Sequence, residues 1–235
     1  MTDAPPPSLV IAIDGPSGVG KGTIARRVAR QLRYRHLDTG AMYRAVAWKA
    51  LHDRIPLDDE ARIAALAEQA ALDVTDVLVR IDDHDVTDAI RTPEIDRAAS
   101  DVSRLPRVRA ALVARQRTIG AEGGIVVEGR DIGTVVFPGA QVKIYLDASP
   151  EERARRRAQD PAHGGGMGQP VSAVATALEA RDRSDRTRAA SPLSIAGDAV
   201  VIDTTRLSIE EVVEKVMDVV REKMEPRGRR PEAGG

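Results

Sequence analysis

Leu9–Thr23 has the sequence LVIAIDGPSGVGKGT, which combines an apolar run, a glycine-rich turn and the start of a helical pattern. The five residues Leu9–Ile13 are all apolar, as is typical of a parallel strand that is covered on both faces. The Gly-x4-Gly-Lys pattern follows from Gly15 to Lys21. Its glycines let backbone N–H groups point at phosphate oxygens, and the helix start adds a positive dipole end. The stretch therefore predicts a nucleotide-binding phosphate loop.

The predicted nucleotide ligands of this loop are Gly15, Pro16, Ser17, Gly18, Val19, Gly20, Lys21, Gly22 and Thr23. Lys21 supplies a cation for the β- and γ-phosphates, so we place it among the catalytic residues. One position departs from the usual pattern, because Gly22 stands where Ser or Thr commonly follows the lysine. The hydroxyl comes one place later, at Thr23. We therefore expect Mg²⁺ to arrive with ATP and predict no metal site of the protein's own.

The rest of the chain alternates short apolar runs with helical patterns. The further strands are predicted at 36–38, 125–127, 142–146 and 199–202, and the helices at 20–32, 41–52, 58–71, from 106, from 149 and 208–224. Such alternation predicts an α/β fold, a P-loop NTPase-like parallel sheet of five strands with helices on both faces. In such sheets the ligand binds beyond the carboxyl ends of the strands.

Two regions do not follow this alternation. Residues 72–90 alternate apolar and polar positions over short runs, which predicts a small antiparallel β-containing insert within about residues 60–110. Residues 161–170 hold four glycines and two prolines, which predicts a mobile loop between two helices of a lid at about 153–187. We expect a single domain over 1–235, with its core at 9–224 and disordered ends at 1–8 and 225–235.

Composition excludes several kinds of site. The chain has no cysteine, so it has no disulfide, thiolate metal site or cysteine nucleophile. Its four histidines, His36, His52, His84 and His163, have no ligand-like spacing. A net charge of -1 and 2% aromatic residues argue against nucleic acid and anionic membranes as partners. No apolar run reaches the roughly 20 residues that span a bilayer, and the start lacks a signal-peptide pattern. We expect a cytoplasmic protein.

Two segments place charges next to glycines at predicted strand ends. In DTGAMYR, residues 38–44, Arg44 follows Gly40 by four positions and could bind a phosphate bidentately, or could be a surface helix arginine. In GRDIGT, residues 129–134, glycines flank Arg130 and Asp131. This second pattern fits either a binding site at the sheet edge or a turn with its own salt bridge.

Two further sets of arginines lie toward the end of the chain. Arg181, Asp185 and Arg188 are spaced at i, i+4 and i+7, on one helical stripe. They fit either a site or a ladder of solvated ion pairs. Arg153 and Arg157 share a helix face beside the predicted mobile loop and could close over the phosphates. For the neighbouring Arg155 and Arg156 a solvated basic face explains the pattern as well.

Together these segments strongly resemble bacterial cytidylate kinase, a P-loop nucleoside monophosphate kinase. The motifs that carry the resemblance are IDGPSGVGKGT (13–23), DTGAMYR (38–44), PRVR (106–109), EGRDIGTVVFP (128–138) and RDRSDRTR (181–188). They occur in unbroken order, and the resemblance covers about residues 9–224, including the small β-rich insert. It implies an enzyme that transfers the γ-phosphoryl group of ATP to CMP or dCMP, giving ADP and CDP or dCDP, and we expect a monomer.

The resemblance also implies roles for individual residues. The contacts to the nucleoside monophosphate would come from Thr39, Gly40, Tyr43 and Arg44. The base would be read by Ser100, Arg109 and Asp131, the sugar held by Arg181 and Asp185, and the acceptor phosphate bound by Arg130 and Arg188. On the ATP side, Arg153 and Arg157 would bind the donor phosphates, and the catalytic set would be Lys21, Arg130, Arg157 and Arg188. Thr39 stands where many relatives have Ser, which keeps the hydroxyl, whereas Gly164–Gly166 is richer in glycine than we expect of relatives.

Two other functions fit the phosphate loop alone. One is a kinase for a different nucleoside monophosphate or another small acceptor. Against it, Asp131 can accept from cytosine N4 while Arg109 donates to N3 and O2, which makes the pair complementary to cytosine. The other is a nucleotide-binding switch protein. That class carries an Asn/Thr-Lys-x-Asp guanine reader, which is missing from this sequence.

Overall fold

The computed structural model describes residues 8–160 and 170–224. The strands are β1 (Val10–Asp14), β2 (Arg35–Asp38), β3 (Leu72–Val74), β4 (Val79–Ile81), β5 (His84–Asp85), β6 (Ile125–Gly129), β7 (Val142–Asp147) and β8 (Val200–Asp203). Five of them form one parallel sheet in the order β2-β6-β1-β7-β8. The predicted parallel sheet of five strands is therefore confirmed.

The helices are α1 (Lys21–Leu32), α2 (Thr39–His52), α3 (Glu60–Gln69), α4 (Pro93–Val102), α5 (Pro106–Gly120), α6 (Pro150–Ala158), α7 (Val171–Thr187) and α8 (Ile209–Met224). The starts of α3 and α6 are capped, because the Asp59 and Ser149 side chains accept backbone N–H groups there. The helix α4 was not among the predicted elements. The sequence does contain a typical helix start there, since Thr92 caps the helix and Pro93 occupies its first position.

Helices cover both faces of the parallel sheet. On one face, Ile11 and Ile13 of β1 pack with α1 and α8, including Val28 and Val216. On the other, Ala12 packs in a second cluster that contains residues of α2, α3, α4 and α5. Burial on both faces is what the continuous apolar runs require. The strands run parallel in register, with Asp14 opposite both Gly129 and Tyr145, so their carboxyl ends meet at one edge.

The insert is a three-stranded antiparallel sheet, β3-β4-β5, as the sequence predicts. Its inner face, formed by Val79 and Ile81, is buried in the cluster that contains α2. Most of the predicted mobile loop, 161–169, lies outside the described residues. So do 1–7 and 225–235, which are all but Ser8 of the ends for which we predicted disorder. No helix within residues 8–160 and 170–224 is both long and apolar enough to cross a bilayer.

Candidate nucleotide site

A cavity of about 560 Å³ opens at the carboxyl edge of the parallel sheet. It is lined by the phosphate loop, the starts of α1 and α2, the end of β6, and residues of α4 to α7. This is the place that the fold class predicts for a ligand, because the strand ends and the helix N-termini converge there. The predicted binding segments therefore meet in one cleft.

The phosphate loop follows β1 and ends at Lys21, the first residue of α1. Gly15 is required by close packing, since a Cβ there would stand 2.2 Å from the backbone oxygen of Leu146. The Nζ atom of Lys21 donates to the Pro16 carbonyl at 2.7 Å. Burial and the neighbouring Arg130 lower the pKa of Lys21 well below its ordinary value. Phosphate oxygens in the cleft would supply the negative charge that this buried cation needs.

Gly22, which replaces the usual Ser or Thr, faces a carboxylate. A Cβ at this position would lie 2.9 Å from the Oε1 atom of Glu128 on β6, so the end of the Glu128 side chain would have to shift to admit one. Glu128 lines the cleft, and its Oε1 atom also lies 3.3 Å from the Nε2 atom of His36. Glu128 is a site residue that the sequence analysis quoted only as part of a motif. Its strand position gave no sign that it faces the loop.

Arg153 lies beneath the phosphate loop and not in the cleft. It donates to the Ser17 carbonyl at 3.1 Å and pairs with the buried carboxylate of Asp182. The same Asp182 accepts the backbone N–H of Ser17 at 3.1 Å. The prediction that Arg153 closes over the phosphates therefore needs correction, because this ion pair fixes its guanidinium under the loop. Gly15 and Pro16 likewise do not line the cleft, whereas the loop residues Ser17–Thr23 do.

Three arginines of α6 line the cleft: Arg155, Arg156 and Arg157. Arg156 donates to the backbone and hydroxyl oxygens of Thr204 at 2.6 and 2.8 Å and to the Val19 carbonyl at 3.3 Å. Arg157 pairs with Asp96 of α4, and the same carboxylate accepts from Arg181 of α7 at 3.1 Å. Asp96 thus joins the insert side of the cleft to both helices of the predicted lid. The sequence contained no signal for this contact.

Asp131 and Arg109 form a buried pair at the deep end of the cleft. An Nη2 atom of Arg109 donates to Asp131, and the Arg188 Nη2 atom lies 3.4 Å from its other oxygen. Burial raises the pKa of Asp131 against the opposing effect of the two arginines. The guanidinium of Arg109 stands over the Tyr43 ring, 5.7 Å from its centroid, and burial raises the pKa of Tyr43 to about 12. The structure thus brings Arg109 and Asp131, two of the three residues that the resemblance assigns to the base, into direct contact.

Arg130 connects the phosphate loop with α7. It donates to the Ser17 hydroxyl at 2.7 Å and to the Asp185 carboxylate at 2.9 Å. The second oxygen of Asp185 lies 3.8 Å from Arg188. Burial would raise the pKa of Asp185, but Arg130 and Arg181 outweigh it and hold the pKa below its ordinary value. These charges form one network, so the alternative of a solvated ladder does not describe Asp185 or Arg188.

The start of α2 completes the acceptor side. Asp38 caps the helix by accepting the Ala41 N–H at 2.9 Å, and its other oxygen accepts from Arg44 at 2.9 Å. The Thr39 hydroxyl donates to the Glu128 carbonyl at 2.7 Å, which ties the helix start to β6. Every predicted monophosphate-side residue lines the cleft: Thr39, Gly40, Tyr43, Arg44, Ser100, Arg109, Arg130, Asp131, Arg181, Asp185 and Arg188.

Comparison with known proteins identifies the family. The sequence model of the family described as cytidylate kinase matches residues 11–222. The cytidylate kinase of Solibacter usitatus (strain Ellin6076) is 46% identical over 95% of this chain and 97% of its own length. A bifunctional pantoate ligase/cytidylate kinase of Synechococcus sp. (strain JA-2-3B'a(2-13)) is 47% identical over 97% of this chain, which spans only 43% of that longer protein.

A solved structure shows the fold alone. An uncharacterized protein from Eubacterium ventriosum ATCC 27560 superimposes with a TM-score of 0.51 at 10% identity, covering 92% of this chain and 99% of its own. The sequence comparisons identify the family, because the family model spans most of the chain and the Solibacter relative matches over nearly its full length. This chain belongs to the cytidylate kinase family.

Proposed function

We propose that this protein is a (d)CMP kinase, which transfers the γ-phosphoryl group of ATP to CMP or dCMP and releases ADP with CDP or dCDP. The observation that carries the proposal is the buried Arg109–Asp131 pair in the same cleft as the phosphate loop. A carboxylate accepts from cytosine N4 and a guanidinium donates to N3 and O2. Family membership supports the same acceptor.

Phosphoryl transfer needs positioning and charge neutralisation more than a covalent nucleophile. The acceptor is a phosphate oxygen that is already ionised near neutral pH, so no general base is required. Lys21 would hold the donor phosphates, while Arg130, which contacts Ser17 of the loop, and Arg188 would bind the acceptor phosphate. Arg157 would reach the transferring group from α6. These roles are the ones that the family resemblance implies, and the positions of all four cations in the cleft support them.

Mg²⁺ is expected to enter with ATP, and the oxygen donors of the cleft fit it. The Glu128 carboxylate stands against Gly22 of the loop, and Thr23 lines the same cleft. Mg²⁺ is bound in proteins by one or two such oxygen ligands together with substrate phosphates and water. Within residues 8–160 and 170–224 no group of three His, Asp or Glu side chains forms a separate metal cluster. When bound, Mg²⁺ would neutralise charge on the donor phosphates.

The acceptor is tested by an ADP-release assay across CMP, dCMP, UMP, AMP and GMP. We expect the highest kcat/KM with CMP or dCMP, because UMP offers an acceptor where Asp131 needs a donor. A preference for AMP, GMP or another small acceptor would contradict the proposal. Release of ADP that no acceptor stimulates would instead favour a nucleotide-binding switch.

Closure of the lid is the second part of the proposal. The helices α6 and α7 carry Arg157 and Arg181 into the cleft, and closing them over ATP would exclude water and suppress hydrolysis. Hydrogen exchange in residues 150–160 and 170–187 should slow when a bisubstrate analogue binds. Unchanged exchange there with the analogue demonstrably bound would rule out the lid.

The proposal also includes a cytoplasmic, monomeric enzyme without nucleic-acid or membrane partners. Light scattering would test whether the protein is a monomer.

A further inference from the structure

Asp14 is the last residue of β1, directly before the phosphate loop, and it is buried. Its Oδ1 atom accepts the backbone N–H of Ile132 at 2.8 Å, and its Oδ2 atom accepts that of Gly133 at 2.7 Å. These two residues directly follow Asp131, the proposed reader of the base. One carboxylate therefore joins the start of the phosphate loop to the segment that carries the acceptor-binding side chains.

The segment that Asp14 holds has an uncommon backbone. Ile132–Val136 forms a single turn of π-helix, in which the Val136 N–H donates to the Asp131 carbonyl five residues earlier, at 3.1 Å. Such turns are rare and have weaker local support than an α-helix. The far end of the turn is held by Arg117 of α5, which donates to the carbonyls of Val135 and Val136 at 2.7 and 3.0 Å. The turn is thus fixed at its start by a carboxylate and at its end by a guanidinium.

Burial of the Asp14 carboxylate costs desolvation free energy. Burial raises the pKa of Asp14 to about 6, against the two N–H groups and Lys21, while Asp131 adds to the rise. A neutral side chain would avoid this desolvation. Asparagine, however, offers a single oxygen acceptor, and its amide NH₂ would face the second N–H group. Two convergent backbone donors therefore explain a buried carboxylate where a neutral side chain would be easier to bury.

We propose that Asp14 is a positioning residue that fixes the proposed base reader Asp131, and Arg130 beside it, relative to the phosphate loop. This inference rests on the proposed CMP kinase function. Asp14 does not line the cleft, so it acts on the nucleotide through the backbone of Ile132 and Gly133. Its loss should alter base choice as well as rate, because Asp131 would no longer be held at one distance from the cytosine edge.

The test is Asp14→Asn, assayed with CMP and UMP. A misplacement of about 1 Å can cost about a hundredfold in rate, so we expect kcat/KM for CMP to fall by about that factor. The ratio of kcat/KM for CMP to that for UMP should fall about tenfold, since one base contact is weakened. Far-UV circular dichroism and the melting temperature show whether the variant is folded.

A matched control separates positioning from a general loosening of the loop. Asp182 is also buried and also accepts a loop N–H, that of Ser17, but it makes no contact with Ile132 or Gly133. The variant Asp182→Asn should therefore slow CMP and UMP transfer alike and leave their ratio unchanged. An equal fall of the ratio in both variants would overturn the inference.

Hydrogen exchange gives a readout that does not depend on turnover. The amides of Ile132 and Gly133 should exchange about tenfold faster in Asp14→Asn, because each loses all or part of a charge-assisted bond. Unchanged exchange at both amides in the folded variant would overturn the proposal, even if the wild-type protein turned out to prefer an acceptor other than CMP. That preference would contradict the proposed function separately.

A second variant decides the matter if Asp14→Asn does not fold. Arg117 is exposed and holds the other end of the same turn. Arg117→Ala removes that support without burying a new polar group, and it should lower the CMP:UMP ratio about twofold to threefold, since exposed contacts carry small energies. A folded Arg117→Ala with an unchanged ratio and unchanged exchange at Ile132 would then overturn the inference.

Discussion

The two walls of the cleft are built in different ways. The donor wall is one continuous stretch, Ser17–Thr23, whose backbone turns around glycines at the end of a strand. The acceptor wall is assembled from side chains of α2, α4, α5, α7 and the segment after β6, and its members are linked by ion pairs. The donor wall therefore depends on local geometry, whereas the acceptor wall depends on the packing of distant elements.

This difference has consequences for how each wall responds to substitution. On the donor wall Lys21 is the cation of the loop, whose other groups for binding phosphate are backbone N–H donors. On the acceptor wall Asp131 touches two arginines, and Asp185 touches two as well. Removal of one member there leaves others to hold part of the charge, so effects should be smaller and more specific to the acceptor.

The largest effect is expected on the donor wall. Lys21→Ala should lower the rate of transfer to CMP by about a thousandfold or more, because it removes the cation that faces the transferring phosphate. The fold should survive, because the Lys21 side chain contacts the loop carbonyl of Pro16 and is not part of the apolar core. Turnover with CMP and far-UV circular dichroism measure the two outcomes. The control is Lys215→Ala, an exposed residue of α8 that should change neither. Near-normal turnover in folded Lys21→Ala would contradict the assignment of the loop.

On the acceptor wall the sharpest effect concerns base choice. Asp131→Asn presents an amide donor to uracil O4, so the CMP:UMP ratio of kcat/KM should fall by an amount equivalent to about 1–3 kcal/mol. Steady-state kinetics with both nucleotides measure this ratio. Asp101→Asn, an exposed change on α4, should leave it as in the wild type. If folded, ATP-binding Asp131→Asn keeps the wild-type ratio, Asp131 does not read the base.

The Asp38 carboxylate should make the unfolding free energy of the protein depend on pH. Burial would raise its pKa, but Arg44 and the Ala41 N–H hold the pKa at about 2 in the folded protein. The folded pKa is lower than the unfolded value near 4, so the stabilisation is complete above about pH 5 and disappears as the pH falls toward 2. It is worth about 2 kcal/mol at neutral pH.

Urea unfolding of the wild type and Asp38→Asn measures this contribution. The difference in unfolding free energy should be largest at pH 7 and about half as large at pH 3. The exposed control Asp73→Asn should show little difference at either pH. A gap between wild type and Asp38→Asn that stays constant from pH 7 to pH 3 would mean that this carboxylate is not held by Arg44.

The smallest effect is expected where the two walls meet the predicted lid. Asp96→Asn weakens the bridge to Arg157 and Arg181, which is partly exposed and worth about 0.2–1 kcal/mol. The KM for ATP should therefore change by less than about fivefold. Glu94→Gln, an exposed change on the same helix, is the control and should have no effect. A change above tenfold would show that Asp96 does more than hold the two arginines.

The sequence by itself determined the parallel sheet, the phosphate loop and the antiparallel insert. Each of these follows from a pattern in consecutive residues: the apolar run Leu9–Ile13, the glycines before Lys21, and the alternation of apolar and polar residues in 72–90. The acceptor side chains were named from the resemblance to a family, because no local pattern relates Arg109 to Asp131 across 22 positions. Their placement in one cleft required the fold.

Only the tertiary structure decided which charges face the cleft and which support it. Arg153 and Arg157 share one helix face and were read alike, yet Arg153 is buried against Asp182 while Arg157 lines the cleft. Asp14 and Glu128 are strand residues whose sequence gave no indication of their contacts with Ile132 and Gly22. Periodicity indicates which face of an element a residue occupies, whereas the partner across that face belongs to another element, 29 residues away for Arg153 and 118 for Asp14. For that reason the loop could be read from the sequence, and its supports could not.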